Sequence, residues 1–120
     1  MVRDKFILKS FSTIKVWIAS HVHLGIKSAD VVAISGYSRS YFLREFELAT
    51  GMTLANYIRQ ERLKRSLQQL EETDMRIKEI SHSLGYPSQS TFCQIFKNQY
   101  RVSPSEYRLL CRRTARELAP

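Results

Sequence analysis

One pattern occurs twice in this chain, and that duplication constrains the fold more than any other feature. Residues 36–57 read GYSRSYFLREFELATGMTLANY, and residues 85–107 read GYPSQSTFCQIFKNQYRVSPSEY. Each copy opens on Gly-Tyr and carries two Phe one helical turn apart, Phe42 and Phe46 in the first, Phe92 and Phe96 in the second. Each closes on a Tyr eleven residues after the second Phe. The offset between copies is 49 residues at the Gly-Tyr and 50 from the first Phe onward, so the second copy holds one extra residue in its turn. Aromatics four residues apart share one face of a helix, and Gly supplies the left-handed backbone of a tight turn. The unit implied is a helix-turn-helix, present twice.

Length and charge narrow the reading. The 120 residues make one compact unit or two very small ones. Each half alone is below the size at which a core is comfortably stable, so the halves are expected to share a connecting element. Nothing in the sequence points to a second, ligand-binding domain. The net charge of +8, from 19 Lys+Arg against 11 Asp+Glu, favours a polyanion or an anionic surface as partner and does not choose between them. With two helix-turn-helix units, the partner expected is double-stranded DNA gripped at two places. Cys93 and Cys111 stand eighteen apart with no CxxC, the pattern of reduced thiols in a cytoplasmic protein. No signal peptide, transmembrane span or membrane association is expected. His21 and His23 form H-x-H, which points two rings apart on a helix, and His82 is remote in sequence. All three read as surface histidines, and no metal, cofactor or catalytic set is expected.

Helical periodicity fills in the rest. Phe11, Ile14, Ile18 and Val22 predict a helix over 11–22. Ser28 is placed as N-cap of a short helix over 29–35, and Ser38 as cap of the next, which runs to 50 with Phe42, Phe46 and Ala49 inward. Gly51 ends it. Thr53 caps a long helix over 54–71, whose eighteen residues span roughly 27 Å at about 1.5 Å each. That length approaches the ~34 Å between successive major-groove faces of B-DNA, so this helix is read as a spacer. Short and longer helices follow over 76–84 and 88–100. Ser103-Pro104-Ser105-Glu106 reads as a capping box opening a last helix to 118. In that helix Tyr107, Leu110 and Cys111 form the apolar side, while Arg108, Arg112, Arg113 and Arg116 are expected exposed on a solvated or phosphate-facing surface. The fold class is all-α, about seven helices. Residues 11–52 and 73–118 form two helix-turn-helix subdomains, joined by a linker helix over 53–72 into a single DNA-binding unit of 1–120.

The second helix of each unit is the reading element. Opposite the Phe pair lie Ser40, Leu43, Arg44 and Glu47 in the first copy, and Ser90, Cys93, Gln94 and Lys97 in the second, with Gln89 near the helix start. Arg44 can donate two hydrogen bonds to guanine, and Gln94 or Gln89 can pair with adenine. Leu43 and Cys93 suit thymine methyls, and Ser40 and Ser90 complete the base-facing set. Arg39 and Lys97 are placed for phosphates, which position the protein without specifying sequence. Cys93 as a redox sensor is the less favoured reading beside a space-filling or methyl-contact role. With Arg44 in the first head and only Gln, Ser and Cys in the second, the first is expected to read its half-site more stringently.

These residues resemble a known family. "ISHSLGYPSQSTFCQIFKNQYRVSPSEYR" is similar to the signature of the AraC/XylS transcription regulators, and "YIRQERLKRSLQQL" is similar to their linker helix. The resemblance runs from about residue 14 to 108. It takes in both Gly-Tyr turns, the paired Phe, Arg62-Leu63, and Ser103-Pro104 with Tyr107-Arg108. In length the chain resembles the MarA/SoxS/Rob-type subgroup. The resemblance implies an activator that binds an asymmetric site as a monomer, places two recognition helices in adjacent major grooves and recruits RNA polymerase, in the manner of stress-response regulators. Where that subgroup has Trp, Gln and Arg in the first recognition helix, this chain has Ser40, Leu43 and Arg44. Where it often has Gln, Gln, Thr and Arg in the second, this chain has Gln89, Ser90, Thr91 and Gln94, with Thr91 assigned to phosphate. Arg101 stands where Gly is frequent. The resemblance therefore carries the fold, and not the target sequence.

Two other functions compete. Some DNA-repair methyltransferases couple this kind of module to a reactive cysteine, but neither Cys93 nor Cys111 has a base at readable spacing. A protein that binds RNA polymerase or another regulator without reading DNA would use surfaces such as the acidic Glu71, Glu72 and Asp74.

Overall fold

Caps set most helix boundaries in this computed structural model, which describes residues 5–118. The elements are α1 (Lys5–His21), a 3-10 turn (Val22–Leu24), α2 (Ser28–Ser35), α3 (Arg39–Thr50), α4 (Leu54–Glu72), α5 (Ile77–Ser83), α6 (Gln89–Tyr100) and α7 (Pro104–Leu118). Among the described residues there is no strand, so the all-α expectation with seven α-helices holds. The Ser38 hydroxyl accepts from the Tyr41 N–H, Ser88 from Thr91, Thr53 from Asn56 and Ser103 from Glu106. Each removes one of the orphan donors of a helix N-terminus.

Three local expectations need correction. α1 begins at Lys5 rather than at residue 11. The reason is Ile7, fully buried four residues before Phe11 on the same face. α2 is capped at Lys27, not Ser28: the Asp30 carboxylate accepts from the Lys27 N–H at 2.8 Å, which starts the helix one residue earlier. Ala49 is exposed, so the inward face of α3 is its Phe pair without that residue.

The chain divides into two compact units, Met1–Arg62 and Leu63–Pro120, so α4 contributes its first half to one and its second half to the other. In the first unit α1, α2, α3 and the start of α4 bury Phe11, Ile18, Val31, Phe42, Phe46, Leu54 and Ile58. The Phe11 ring meets Phe42 and Phe46 edge-on, with centroids 5.5 and 5.4 Å away. In the second, the end of α4 supplies Leu63 and Leu70, α5 and the residue that caps its end add Ile80 and Leu84, and α6 adds Phe92 and Phe96. Here the second half of α4 takes the part that α1 plays in the first unit.

The eleven-residue interval from second Phe to closing Tyr now has a physical meaning. Phe46 and Tyr57 meet in a T-shape at 5.5 Å and 73°. Phe96 and Tyr107 do the same at 5.7 Å and 66°. The interval is the path from the recognition helix, through a left-handed end and a new cap, to the first turn of the helix that closes the unit. Such edge-on pairs contribute about 0.5–1.5 kcal/mol beyond the area they bury.

Arginines then tie the closing helices back. Arg62 donates from Nη2 to the Ile26 carbonyl at 2.8 Å. Arg108, expected on the surface, is half-buried instead: its Nε donates to the Leu70 carbonyl and its Nη2 to that of Thr73. The last carbonyls of α4 have no partner within their own helix, and a guanidinium with several donors satisfies one of them, at Leu70, together with that of Thr73 just past the helix end. Burial, and then the neighbouring Arg112, hold the Arg108 pKa below the usual guanidinium range, with Asp74 opposing them.

Candidate nucleic-acid interface

Each recognition helix is amphipathic because its Phe pair anchors one face and short or polar residues occupy the other. Residues 40, 43, 44 and 47 fall at i, i+3, i+4 and i+7, as do 90, 93, 94 and 97, so each set shares one side of its helix. The Ser38 and Ser88 caps start α3 and α6 at equivalent positions, with Arg39 and Gln89 as first helical residues. The expected contacts therefore form two faces, one on each unit.

On α3, Arg39, Ser40 and Arg44 are exposed. Leu43 is half-buried and packs against the first core, so only part of it remains for a thymine methyl. Arg44 does not project freely. Its guanidinium lies 5.8 Å from the centroid of the Tyr41 ring, and its Nε lies 3.9 Å from the Glu45 carboxylate. Sequence reading passed over Tyr41 and Glu45, although Tyr41 stands at i−3 to Arg44, the spacing at which side chains on a helix meet.

On α6, Gln89, Ser90, Gln94 and Lys97 are exposed. The Thr91 hydroxyl lies 2.9 Å from the Ser88 hydroxyl, and so belongs to the cap that begins the helix. Cys93 is half-buried, and burial pushes its thiol above the ordinary range. A thiol held protonated is a poorer nucleophile, which weighs against a redox-sensor role for it. The helices also differ in charge: α3 offers Arg39 and Arg44 against Glu45 and Glu47, while Lys97 is the one charged residue of α6.

Other candidate residues are occupied within the fold. The Tyr107 hydroxyl donates to Glu71, the Gln68 amide donates to Glu72, and Arg112 Nη2 lies 2.6 Å from Asp74. Glu71, Glu72 and Asp74 thus each have a partner within the chain while all three stay exposed. His21 and His23 are half-buried, not surface residues as expected. The His21 ring stacks on Trp17 at 4.3 Å and its Nδ1 lies 2.8 Å from the Trp17 carbonyl. His82 is exposed. Among the described residues no group of His, Cys, Asp and Glu is arranged to hold a metal ion, and no helix is long and apolar enough to cross a membrane.

Comparison with known proteins agrees with this geometry. A family model described as a helix-turn-helix domain matches residues 31–109. The chain is 40% identical over 92 residues to the regulatory protein SoxS of Escherichia coli K12, covering 77% of this chain and 86% of SoxS. It is 38% identical over 97 residues to the uncharacterized HTH-type transcriptional regulator YbfP of Bacillus subtilis, covering 81% of this chain but only 33% of that protein. Among solved structures, the xylose-binding transcription activator xylR superposes with a TM-score of 0.72 at 35% identity, over 81% of this chain and 26% of xylR.

Proposed function

The chain belongs to the AraC-type helix-turn-helix family of DNA-binding transcription regulators, which are not enzymes, and from that premise we propose that it activates transcription as a monomer on an asymmetric site, with α3 and α6 in adjacent major grooves. Activation follows the relative that is itself described as a transcription activator, and recruitment of RNA polymerase is what the family resemblance of the sequence implies. The cytoplasm, where the DNA is, is the proposed place of action.

One observation carries this reading. Two helices, each begun by a serine cap and backed by a buried Phe pair, expose matched residues at equivalent turns. Ser40, Leu43 and Arg44 face the bases of one half-site, and Gln89, Ser90, Cys93 and Gln94 those of the other. Arg39, Thr91 and Lys97 contact phosphates. The length of α4, 19 residues or about 28 Å, is of the order of the groove repeat and supports simultaneous reading.

Selection of bound duplexes from a random library at near-physiological salt tests the proposal. The expected result is one asymmetric motif with two blocks about one helical turn apart, guanine prominent in one of them. Binding that vanishes as salt rises, with no sequence enriched, would leave charge alone as the contact. The surviving alternative would then be a protein that engages RNA polymerase or another regulator without its own readout.

A further inference from the structure

One charged residue on the outward face of α3 is held by nothing in its own chain. Glu47 is exposed, and among the described residues its carboxylate makes no hydrogen bond or ion pair, whereas the nearby Glu45 lies against Arg44. Glu47 completes the set 40, 43, 44 and 47. That spacing of i, i+3, i+4 and i+7 is one with which a helix in the major groove presents side chains to base edges. With Arg39 and Leu43 of the same helix, Glu47 also lines an open hollow of about 230 Å³, whose other wall includes the start of α4 from Thr53 to Ala55. Leu43 and Glu47 thus border one accessible space.

A carboxylate on this face weakens DNA binding unless the duplex offers it a donor. The equivalent position of α6 is Lys97, which suits a phosphate. Phosphates repel Glu47, so the contact open to Lys97 is closed to it. Among base edges in the major groove, guanine presents acceptors at N7 and O6, adenine an acceptor beside its N6 amino group, and thymine an acceptor beside a methyl. Cytosine alone presents a donor, its N4 amino group, with no acceptor next to it on the same base. Spacing sets the register. Glu47 lies three residues beyond Arg44, roughly 4.5 Å along the axis at about 1.5 Å per residue. That distance falls between one and two base-pair steps of about 3.4 Å.

We propose that Glu47 is a specificity-determining residue that accepts from the N4 amino group of a cytosine, one or two base pairs from the guanine read by Arg44. The inference rests on α3 lying in a major groove. The carboxylate then acts in two ways: it favours duplexes that carry the cytosine and penalises those that put an acceptor in its place.

Selection from random duplexes with the wild-type chain and with Glu47→Gln, followed by titration of the four base variants at the position concerned, tests this. The guanine that serves as reference is the one whose preference Arg44→Ala abolishes. The wild type is expected to enrich cytosine at the stated distance and to bind the other three bases about fivefold or more weakly. Glu47→Gln keeps the shape of the side chain but supplies a donor and an acceptor together, which suit adenine, so the preference should move from cytosine to adenine. Glu47→Ala should flatten it. Both variants should keep the guanine preference, which shows that each is folded and docked in the same register. A motif without cytosine at that distance would overturn the inference. So would a tightening of all sequences alike with an unchanged base profile, the mark of a carboxylate that only repels phosphates. A lower urea midpoint with an unchanged profile would overturn it too, since Glu47 would then serve the start of α4. A selection that enriches no motif at all would overturn the placement of α3 as well, whereas a two-block motif indifferent to Glu47 would overturn this inference alone.

Discussion

The recognition helix of the first unit ends on Gly51 at φ 74°, and that of the second ends on Arg101 at φ 68°. Both backbone N–H groups donate to the carbonyl four residues earlier, Glu47 in one case and Lys97 in the other, each at 2.8 Å. The turn must reverse the chain and deliver a Tyr onto the second Phe, so the backbone geometry is retained although the side chain is not. A second pair of equivalents shows the same thing. Arg62 and Arg112, fifty residues apart, both reach back from the closing helix toward the segment ahead of the helix-turn-helix. Arg62 is half-buried and donates to the Ile26 carbonyl, whereas Arg112 finds the exposed Asp74. The turns differ as well. Three residues separate α2 from α3 and five separate α5 from α6, and the inserted Pro87 leaves Tyr86 buried against Phe92 at 4.9 Å. Tyr37, its counterpart, is half-buried beside Tyr41. What the duplication conserves is a set of backbone directions, and each unit satisfies them with its own side chains.

The largest expected effect tests whether the units fail separately. Phe96→Ala should cost about 3–5 kcal/mol in urea unfolding, from lost burial and the cavity left behind. Hydrogen exchange should then show protection lost first in α5, α6 and α7, with α1–α3 retained. Equal loss in both units would mean that the two cores unfold as one, and the comparison would break at its root.

On DNA the comparison predicts asymmetry between the heads. Arg44→Ala should weaken binding by about 1–3 kcal/mol, concentrated at one guanine of the selected motif. Gln94→Ala should cost less, and at a position in the other block. Titration against single-base variants of the motif separates these from a phosphate contact, which would weaken all sequences alike. Tyr41→Ala sharpens the same point, since it removes the ring beside Arg44 while leaving the guanidinium in place.

A smaller difference separates the two arginine ties. Arg62→Ala should cost about 1.5–3 kcal/mol, the range for a hydrogen bond from a charged group. Arg112→Ala should cost less than about 1 kcal/mol, because both partners are largely exposed. Raising the salt concentration should erase the Arg112 effect and leave most of the Arg62 effect.

Much of this was legible in the chain, for identifiable reasons. Ser38, Thr53, Ser88 and Ser103 announce helix starts because a short hydroxyl side chain satisfies a local donor, and that interaction needs no knowledge of the rest of the fold. The Phe pairs announce a buried face because four-residue spacing is itself geometry. The start of α1 was legible in principle, since Ile7 stands four residues ahead of Phe11 on the stripe of Phe11, Ile14 and Ile18. Arg108 was not legible. Its burial depends on the unsatisfied carbonyls at the end of α4, thirty-five or more residues earlier. The half-burial of Leu43 and the stacking of His21 on Trp17 likewise depend on packing that periodicity does not encode.

The finest break in the comparison lies at the ends of the recognition helices. A non-glycine residue in the left-handed region costs about 1–2 kcal/mol relative to ordinary helical backbone, and glycine regains part of that through its greater freedom in the unfolded chain. Arg101→Gly should therefore stabilise the protein by roughly 0.5–1 kcal/mol, read as a higher midpoint in urea with an unchanged slope. Gly51→Ala should destabilise it by a similar amount. At Gly51 no heavy atom lies within 4 Å of where a Cβ would stand, so the dihedral alone sets that cost. The two substitutions are mirror tests of a single torsion in equivalent turns. Should Arg101→Gly instead lower the midpoint, the Arg101 side chain supplies stabilisation that outweighs its backbone strain, such as that of a cation at a helix C-terminus. The second unit would then owe part of its stability to the residue that departs from the first.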